Sequence, residues 1–268
     1  MSRIWTVIAV LLTGVALVNP VSAATAAELP IAAGSPYRLL QMNLCLSGLA
    51  DCYAASQYPK VVDDAIAQIG AVDPNAVTLN EGCSGDAERI AAKTGYHLRF
   101  ATVIYGGAPL PCRNPDGRGL FGIAVLTREQ IWTSADQAYA AQAGLEERRW
   151  LCAATVRDVA VCASHLSTRG SGAARAANEA QCQELSQVLA QYVAAGPTVF
   201  GGDVNRAGSC AAPGMAKLTD AVAGQLSGIQ HIYVSSEFWS PEAEVVPALY
   251  TDHDFLVADG RLAFPAFR

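Results

Sequence analysis

The sequence predicts an α+β fold in which mixed sheets pack together with helices outside, and two observations carry that prediction. Short apolar runs bounded by Gly, Pro, Asn and Asp alternate with stretches of helical periodicity, then give way to paired strands, and this order repeats in two halves. The 268 residues are 51% hydrophobic and only 16% charged, enough to bury one sizeable core and too apolar for disorder. No repeat or low-complexity linker divides the chain.

Tyr37 to Asn43 reads as the first strand, because it is an apolar run ending in polar punctuation. Pro59 to Gly70 follows as a helix with Val61, Val62, Ala65, Ile66 and Ile69 on one face. Ala76 to Asn80 is a short apolar strand, Asp86 to Thr94 a helix, and His97 to Tyr105 and Leu120 to Thr127 are strands. The Gly, Pro and Asn cluster from Gly106 to Gly119 is a long loop of the kind that borders a site. Trp150 to Val156 and Val159 to Leu166 make a hairpin around Arg157 and Asp158. After a flexible stretch from Thr168 to Gly172, Leu185, Val188, Leu189, Tyr192 and Val193 recur at helical spacing until Gly196 and Pro197 stop the helix. Thr198 to Gly201, Ile229 to Ser235 and Phe255 to Ala258 are the last strands, and Ser236 to Pro247 reads as a loop carrying Phe238 and Trp239. Those two aromatics are read either as touching a membrane or as capping a core edge.

Residues 1–23 have the form of an export signal: Arg3, an apolar run from Trp5 to Val18, and small residues up to Ala23, after which cleavage is expected. The run is shorter than the roughly 20 apolar residues of a spanning helix, so a secreted protein without stable membrane insertion is expected. Residues 24–35 form a small-residue spacer and 36–268 a single domain, with no obligate protein partner evident. Eight Cys in an exported chain favour disulfides. Local spacing pairs Cys45 with Cys52 and Cys152 with Cys162, and elimination leaves Cys83 with Cys112 and Cys182 with Cys210. The 18 Lys and Arg against 24 Asp and Glu give a net charge of −6, which excludes a nucleic-acid binder relying on bulk positive charge. A phosphate-bearing substrate then calls for a bound cation to reverse the local sign.

Polar residues interrupt or follow the apolar strands at few places: Asn43, Glu81, His165, Asp203, Asn205, Asp252 and His253. Asp203 and Asn205, in Gly201-Gly202-Asp203-Val204-Asn205, form either an Asx turn or a pair that holds a nucleophilic water and a phosphoryl oxygen. Six segments occur in an order that resembles the endonuclease/exonuclease/phosphatase family, whose fold is that of pancreatic deoxyribonuclease. They are Gln41-Met42-Asn43, Asn80-Glu81, Gly119 to Leu126, Ser164-His165-Leu166, Gly202 to Asn205, and Asp252-His253.

The resemblance implies a four-layer αββα sandwich of two mixed, mostly antiparallel sheets packed face to face, with a site at one end. It implies a divalent cation there, Mg2+ first and Mn2+ or Ca2+ as alternatives, with Glu81 as principal ligand and Asn43 and Asp252 completing its oxygen shell directly or through water. His253 resembles the imidazole that deprotonates the attacking water, and Asp203 the group that aligns it. His165 and Asn205 resemble donors to the phosphoryl oxygens. Arg148 resembles an arginine near the phosphate, or is a simple surface ion pair. His97, alone within a strand, is read as structural.

One residue departs from the pattern. Gln230 stands where the family commonly pairs an aspartate with the catalytic imidazole; its oxygen can accept from an imidazole N–H, but it stabilises an imidazolium less than a carboxylate would. Weaker activity or a shifted pH optimum is expected, with Asp254 or His231 as candidates to compensate. The expected activity is metal-dependent phosphodiester hydrolysis. Nucleic acid is the first substrate, since Arg113, Arg118, Arg169 and Arg206 could contact phosphates or be solvated loop charges. A lipid head group or a phosphomonoester is the alternative substrate, and a catalytically silent binding module is the reading from another class.

Overall fold

The computed structural model describes residues 34–221 and 228–263. The export signal and most of the spacer expected from the sequence lie outside the described residues. Among the described residues no helix is long and apolar enough to cross a membrane.

Two six-stranded sheets form the body. In the first the spatial order is β13 (Phe238–Val246), β14 (Phe255–Leu262), β1 (Ser35–Asn43), β2 (Ala76–Cys83), β6 (Phe121–Thr127), β3 (His97–Thr102). In the second it is β11 (Ala216–Thr219), β12 (Gln230–Val234), β10 (Thr198–Asp203), β9 (Ala160–His165), β8 (Arg149–Thr155), β7 (Ile131–Ala138). Only β1 with β2 and β9 with β10 pair in parallel; all other neighbours are antiparallel. A two-stranded ribbon, β4 (Ile104–Tyr105) with β5 (Ala108–Pro109), sits in the long loop before β6.

Side chains alternate across each strand, so the period-two pattern sorts the chain into layers. Leu39 of β1, Ile123 and Val125 of β6, Leu151 of β8, Val161 of β9 and Val199 of β10 meet in one cluster between the sheets. Each contributes roughly 1.5–3 kcal/mol by burial. Leu40, Met42, Val77 and Leu79 face the other way, onto α1 (Lys60–Val72) and α2 (Ser84–Thr94), through Val62, Ala65, Ile69 and Ile90. Phe200 and Tyr233 do the same for the second sheet, against Leu185 and Leu189 of α3 (Gly172–Ala195). The result is the αββα sandwich.

Four disulfides join Cys45–Cys52, Cys83–Cys112, Cys152–Cys162 and Cys182–Cys210, the pairing expected from spacing and elimination. They fit an oxidising compartment. Cys152 and Cys162 are direct cross-strand partners. The elements that depart from expectation include two edge strands. The segment read as a loop at Ser236 to Pro247 is mostly the edge strand β13, and β7 was not anticipated. Both carry exposed, unalternating polar residues, because an edge strand with a solvated face leaves no apolar period to read. Phe238 caps the core edge against Tyr37, with ring centroids 5.1 Å apart.

Candidate active site at the end of the sheet seam

At one end of the sandwich the inward-facing positions change from apolar to polar. Leu39 is followed by Gln41 and Asn43, Ala76 by Thr78 and Asn80, Ala163 by His165, and Val199 by Gly201 and Asp203, each two residues along one face. These positions form a network of buried amides across the seam. Thr78 Oγ1 donates to Gln41 Oε1 (2.6 Å), and Gln41 Nε2 donates to Asn80 Oδ1 (2.8 Å). Asn80 Oδ1 also accepts from the Asp203 N–H (2.7 Å), and Asn80 Nδ2 donates to the Ser164 carbonyl (3.0 Å). Asn80 of the first sheet thus fixes the backbone beside His165 and Asp203 of the second. A Cβ on Gly201 would run into Thr78 Oγ1, so glycine allows this close approach.

Strand parity would send Glu81 to the helix side. A bulge between Leu79 and Gly82, with Glu81 at φ 53°, turns it into the seam instead. Asn43 Nδ2 then donates to Glu81 Oε1 (3.0 Å) and to Asp203 Oδ2 (3.3 Å). His165 Nε2 lies 4.0 Å from Glu81 Oε1 and 3.9 Å from Asp203 Oδ2. His253 Nε2 lies 3.6 Å from Asp203 Oδ2 and 3.9 Å from Asp252 Oδ2. Five residues from four separate segments therefore form one connected row, from Glu81 through His165, Asp203 and His253 to Asp252.

Burial raises the carboxyl pKa of Glu81, against the opposing pull of the Asn43 hydrogen bond and the Arg148 charge. Burial likewise raises Asp203, opposed first by His253 and by the Asn205 N–H. Burial, with the Arg148 and His253 charges, holds His165 well below the usual imidazole range, so its ring is neutral at pH 7. Arg148 pairs with Glu146 (3.0 Å) and lines one cleft with Glu81 and His165. The two readings of Arg148, ion pair and site arginine, thus coexist. Glu81, Asp203 and Asp252 crowd this end, and the Arg148 guanidinium beside them is paired with Glu146. A hard dication fits such a donor set, since it would remove the desolvation cost that raises Glu81 and Asp203.

Three expected residues sit differently from the simplest expectation. The Asn43 carboxamide turns its oxygen to the Cys45 N–H (3.3 Å) and its NH2 to Glu81 and Asp203, which it steadies. Asn205 donates to the Leu166 carbonyl (3.0 Å), and its N–H closes an Asx turn on Asp203 Oδ1 (2.9 Å). Among the described residues Gln230 makes no bond to the His253 ring. Its Nε2 donates to the Asp254 carbonyl (2.7 Å) and to Asp220 Oδ2 (3.3 Å), which spends both amide hydrogens. Nor do the two suggested substitutes reach that ring. Asp254 accepts from the Ala248 N–H (3.0 Å), and His231 faces the α3 side, bonded to Tyr233 and Gly228.

Sequence reading missed Gln41, Thr78 and Asn80 as positioning groups, although two of them lie in quoted segments. It also missed Asn178 and Gln181 on α3. Asn178 Nδ2 donates to the Ser167 (2.7 Å) and Val204 (2.9 Å) carbonyls, and Gln181 Oε1 accepts from the Ser167 N–H (2.8 Å). Both are buried amides on a helix face, a signal visible only as polar breaks in an apolar stripe. Of the four arginines read as phosphate contacts, Arg118 is buried on Asp86 and Arg206 is paired with Glu179, while Arg113 and Arg169 are exposed.

No family profile and no curated protein matches the sequence. Solved structures do. An endonuclease/exonuclease/phosphatase protein from Beutenbergia cavernae superposes with a TM-score of 0.63 at 22% identity, over 85% of this chain and 72% of that one. The chain has the endonuclease/exonuclease/phosphatase fold. The human Nocturnin catalytic domain, solved with a bound sulfate anion, gives a TM-score of 0.66 at 17% identity, covering 85% of this chain and 94% of that one. A Bacteroides vulgatus protein of the endonuclease/exonuclease/phosphatase type gives 0.61 at 16% identity, over 85% and 99%. At these identities the likeness is one of fold. In this endonuclease/exonuclease/phosphatase fold, the row from Glu81 to Asp252 occupies the end of the seam where β1, β2, β9 and β10 finish.

Proposed function

We propose that the protein is a metal-dependent phosphoesterase that hydrolyses phosphodiesters at the row from Glu81 to Asp252. The observation supporting this most directly is that two imidazoles and three carboxylates stand 3.6–4.0 Å apart in succession at one end of the sheet seam. The sulfate in the Nocturnin structure is a tetrahedral anion of phosphate shape, which agrees with such a site.

Glu81 and Asp252 would hold Mg2+, with Asn43 steadying Glu81. The ion would stabilise negative charge on the phosphoryl and leaving oxygens. His253, beside Asp203, takes a proton from the attacking water as its oxygen bonds to phosphorus. The P–O bond to the alcohol breaks, and a proton returns to the departing oxygen, leaving an alcohol and a phosphomonoester. Neutral His165 donates one N–H to a phosphoryl oxygen, and Arg148 adds charge from the cleft wall. Asn205 has one amide hydrogen left to donate after Leu166 takes the other.

The test is hydrolysis of bis(p-nitrophenyl) phosphate, plasmid DNA and sphingomyelin vesicles by the purified protein, with Mg2+ or with EDTA. Turnover that needs the metal is expected. His165→Ala and His253→Ala should each lower it at least about 100-fold with an unchanged circular dichroism spectrum. Glu81→Gln should raise the Mg2+ concentration needed for half activity. Absence of turnover on all three substrates with Mg2+, Mn2+ and Ca2+ would overturn the phosphodiesterase reading and favour the silent module.

A further inference from the structure

We propose that the cleft beside Arg148 and His165 binds the apolar alcohol of a small amphiphilic phosphodiester, so that the protein acts on such molecules singly and not on a nucleic-acid duplex. This rests on the phosphodiesterase reading and adds the class of substrate. The cleft has a volume of about 290 Å³, at the lower end of small-molecule sites. Glu81, Arg148 and His165 line it together with Leu49, Tyr105, Leu110 and Phe121. It is therefore two-natured, with the groups that would handle a phosphate beside apolar and aromatic side chains.

Among the described residues four of the seven exposed large apolar side chains are placed accordingly: Leu49 is 56% exposed, Tyr105 42%, Leu145 63% and Leu249 70%, while Trp132, Val156 and Trp239 lie on β7, after β8 and on β13. The four lie at the site end of the sandwich, Tyr105 at the end of the short strand β4 and the others on loops. Leu49 follows β1, and Tyr105 follows β3. Leu145 precedes β8, whose Trp150 pairs with Ser164 next to His165. Leu249 lies three residues before Asp252. The Leu145 carbonyl accepts from the Gly106 N–H (2.8 Å), which ties its loop to the Tyr105 turn. Leucines left in water gain nothing for the fold, whereas beside a phosphate site they can desolvate the organic part of an ester.

Charge points the same way. A duplex is held through many phosphate contacts, each needing a free cation. Here Arg118 is buried on Asp86, Arg206 pairs with Glu179, Arg149 with Asp136, and the cleft arginine Arg148 with Glu146, which leaves Arg113 and Arg169 as the exposed arginines of the candidate loops. The net charge of −6 gives no general attraction for a polyanion. One phosphate with an apolar substituent meets both walls; a polyanion meets the polar wall only.

Phenyl phosphate and methyl phosphate separate the walls, because each has one organic group and the same phosphate. Calorimetric titration of the full chain in Mg2+ should give phenyl phosphate at least about 10-fold tighter binding, the scale at which pockets discriminate apolar groups. Leu49→Ser and Tyr105→Ser should each cut that ratio to about threefold or less, while Trp132→Ser, on the distant edge strand, leaves it unchanged. Equal binding of the two monoesters, no binding of either, or a ratio unmoved by both cleft variants would overturn the inference. So would a higher kcat/KM per phosphodiester on duplex DNA than on bis(p-nitrophenyl) phosphate. If the binding preference appears without hydrolysis of any diester, the catalytic reading fails and the cleft assignment stands.

Discussion

Gln230 is bound to Asp220 twice: its backbone N–H donates to Asp220 Oδ1 (3.1 Å) and its side-chain Nε2 to Asp220 Oδ2 (3.3 Å). The carboxylate absent from position 230 thus stands on the flank of the same residue, just after β11. Burial raises the Asp220 carboxyl, and the Gln230 donors and the His253 charge pull it back. Gln230→Asp would therefore not restore a missing group. It would set a second buried carboxylate against Asp220 and lose both side-chain donations, costing about 2–3 kcal/mol. Adding Asp220→Asn to that variant returns a donor–acceptor pair with the roles exchanged. Urea unfolding should show the double variant to be more stable than Gln230→Asp alone.

Asn80 satisfies three partners at once: across the seam it donates to Ser164 O and accepts from the Asp203 N–H, and within its own sheet it accepts from Gln41 Nε2. Leucine at this position has similar volume and strands all three polar groups in a dry interior. Asn80→Leu should cost about 2–4 kcal/mol in urea unfolding, since unsatisfied buried groups carry their full desolvation penalty. Asn80→Asp keeps the acceptor oxygen but loses the donation to Ser164. Its turnover should fall with the misplacement of His165, next to Ser164, while KM changes less.

The legible part of the site was the part that strand parity controls. Asn43, His165 and Asp203 are polar residues at the ends of apolar runs, and a period of two places them on one face without further information. Glu81 stands out in the sequence as a polar residue after an apolar strand, but its metal-ligand role comes only from the resemblance, because it breaks parity and the bulge that re-aims it has no local signature in Asn80-Glu81-Gly82. Asp220 was illegible for another reason. Its strand, Ala216–Thr219, has four residues and no alternation, so nothing announced that it would flank β12. The core helices and central strands were readable for the same reason that β7 and β13 were not: burial on one face leaves a period, and an exposed edge erases it.

His231 gives a stability signature in mild acid. Its Nε2–H donates to the Gly228 carbonyl (3.0 Å), and its Nδ1 accepts from the Tyr233 hydroxyl (2.6 Å), whose oxygen accepts from the Cys210 N–H (2.8 Å). Burial lowers its pKa to about 4. The folded ring stays neutral where the unfolded one, with a pKa of about 6.5, takes up a proton. Its contribution is therefore complete above pH 6.5 and is lost as the pH falls toward 4, by about 2 kcal/mol between pH 7 and pH 5. The difference in unfolding free energy between wild type and His231→Gln should shrink by that amount over this interval. A difference independent of pH would show that the ring has the same pKa in the folded and unfolded chains.

Arg118 shows how one buried charge can hold both the long loop and the cleft wall. Its Nη1 donates to Asp86 Oδ2 (2.8 Å), Nη2 to the Leu46 carbonyl (2.8 Å) and Nε to the Pro115 carbonyl (3.2 Å), and Nη2 also reaches the Arg113 carbonyl. Its guanidinium lies 4.5 Å from the Tyr58 ring centre, and the Tyr58 hydroxyl donates to Asp86 Oδ1 (3.0 Å). The loop so fastened runs between Leu110 and Phe121, two lining residues of the cleft. Arg118→Met leaves Asp86 buried without its cation and should cost about 3–5 kcal/mol. Arg118→Met with Asp86→Leu removes both charges together and should be less destabilised than the single variant, since an apolar pair of similar volume carries no such penalty. Unfolding midpoints of the two single variants and the double variant supply the cycle. A double variant as unstable as the sum of the singles would mean that the backbone carbonyls, not Asp86, are what Arg118 is there to hold.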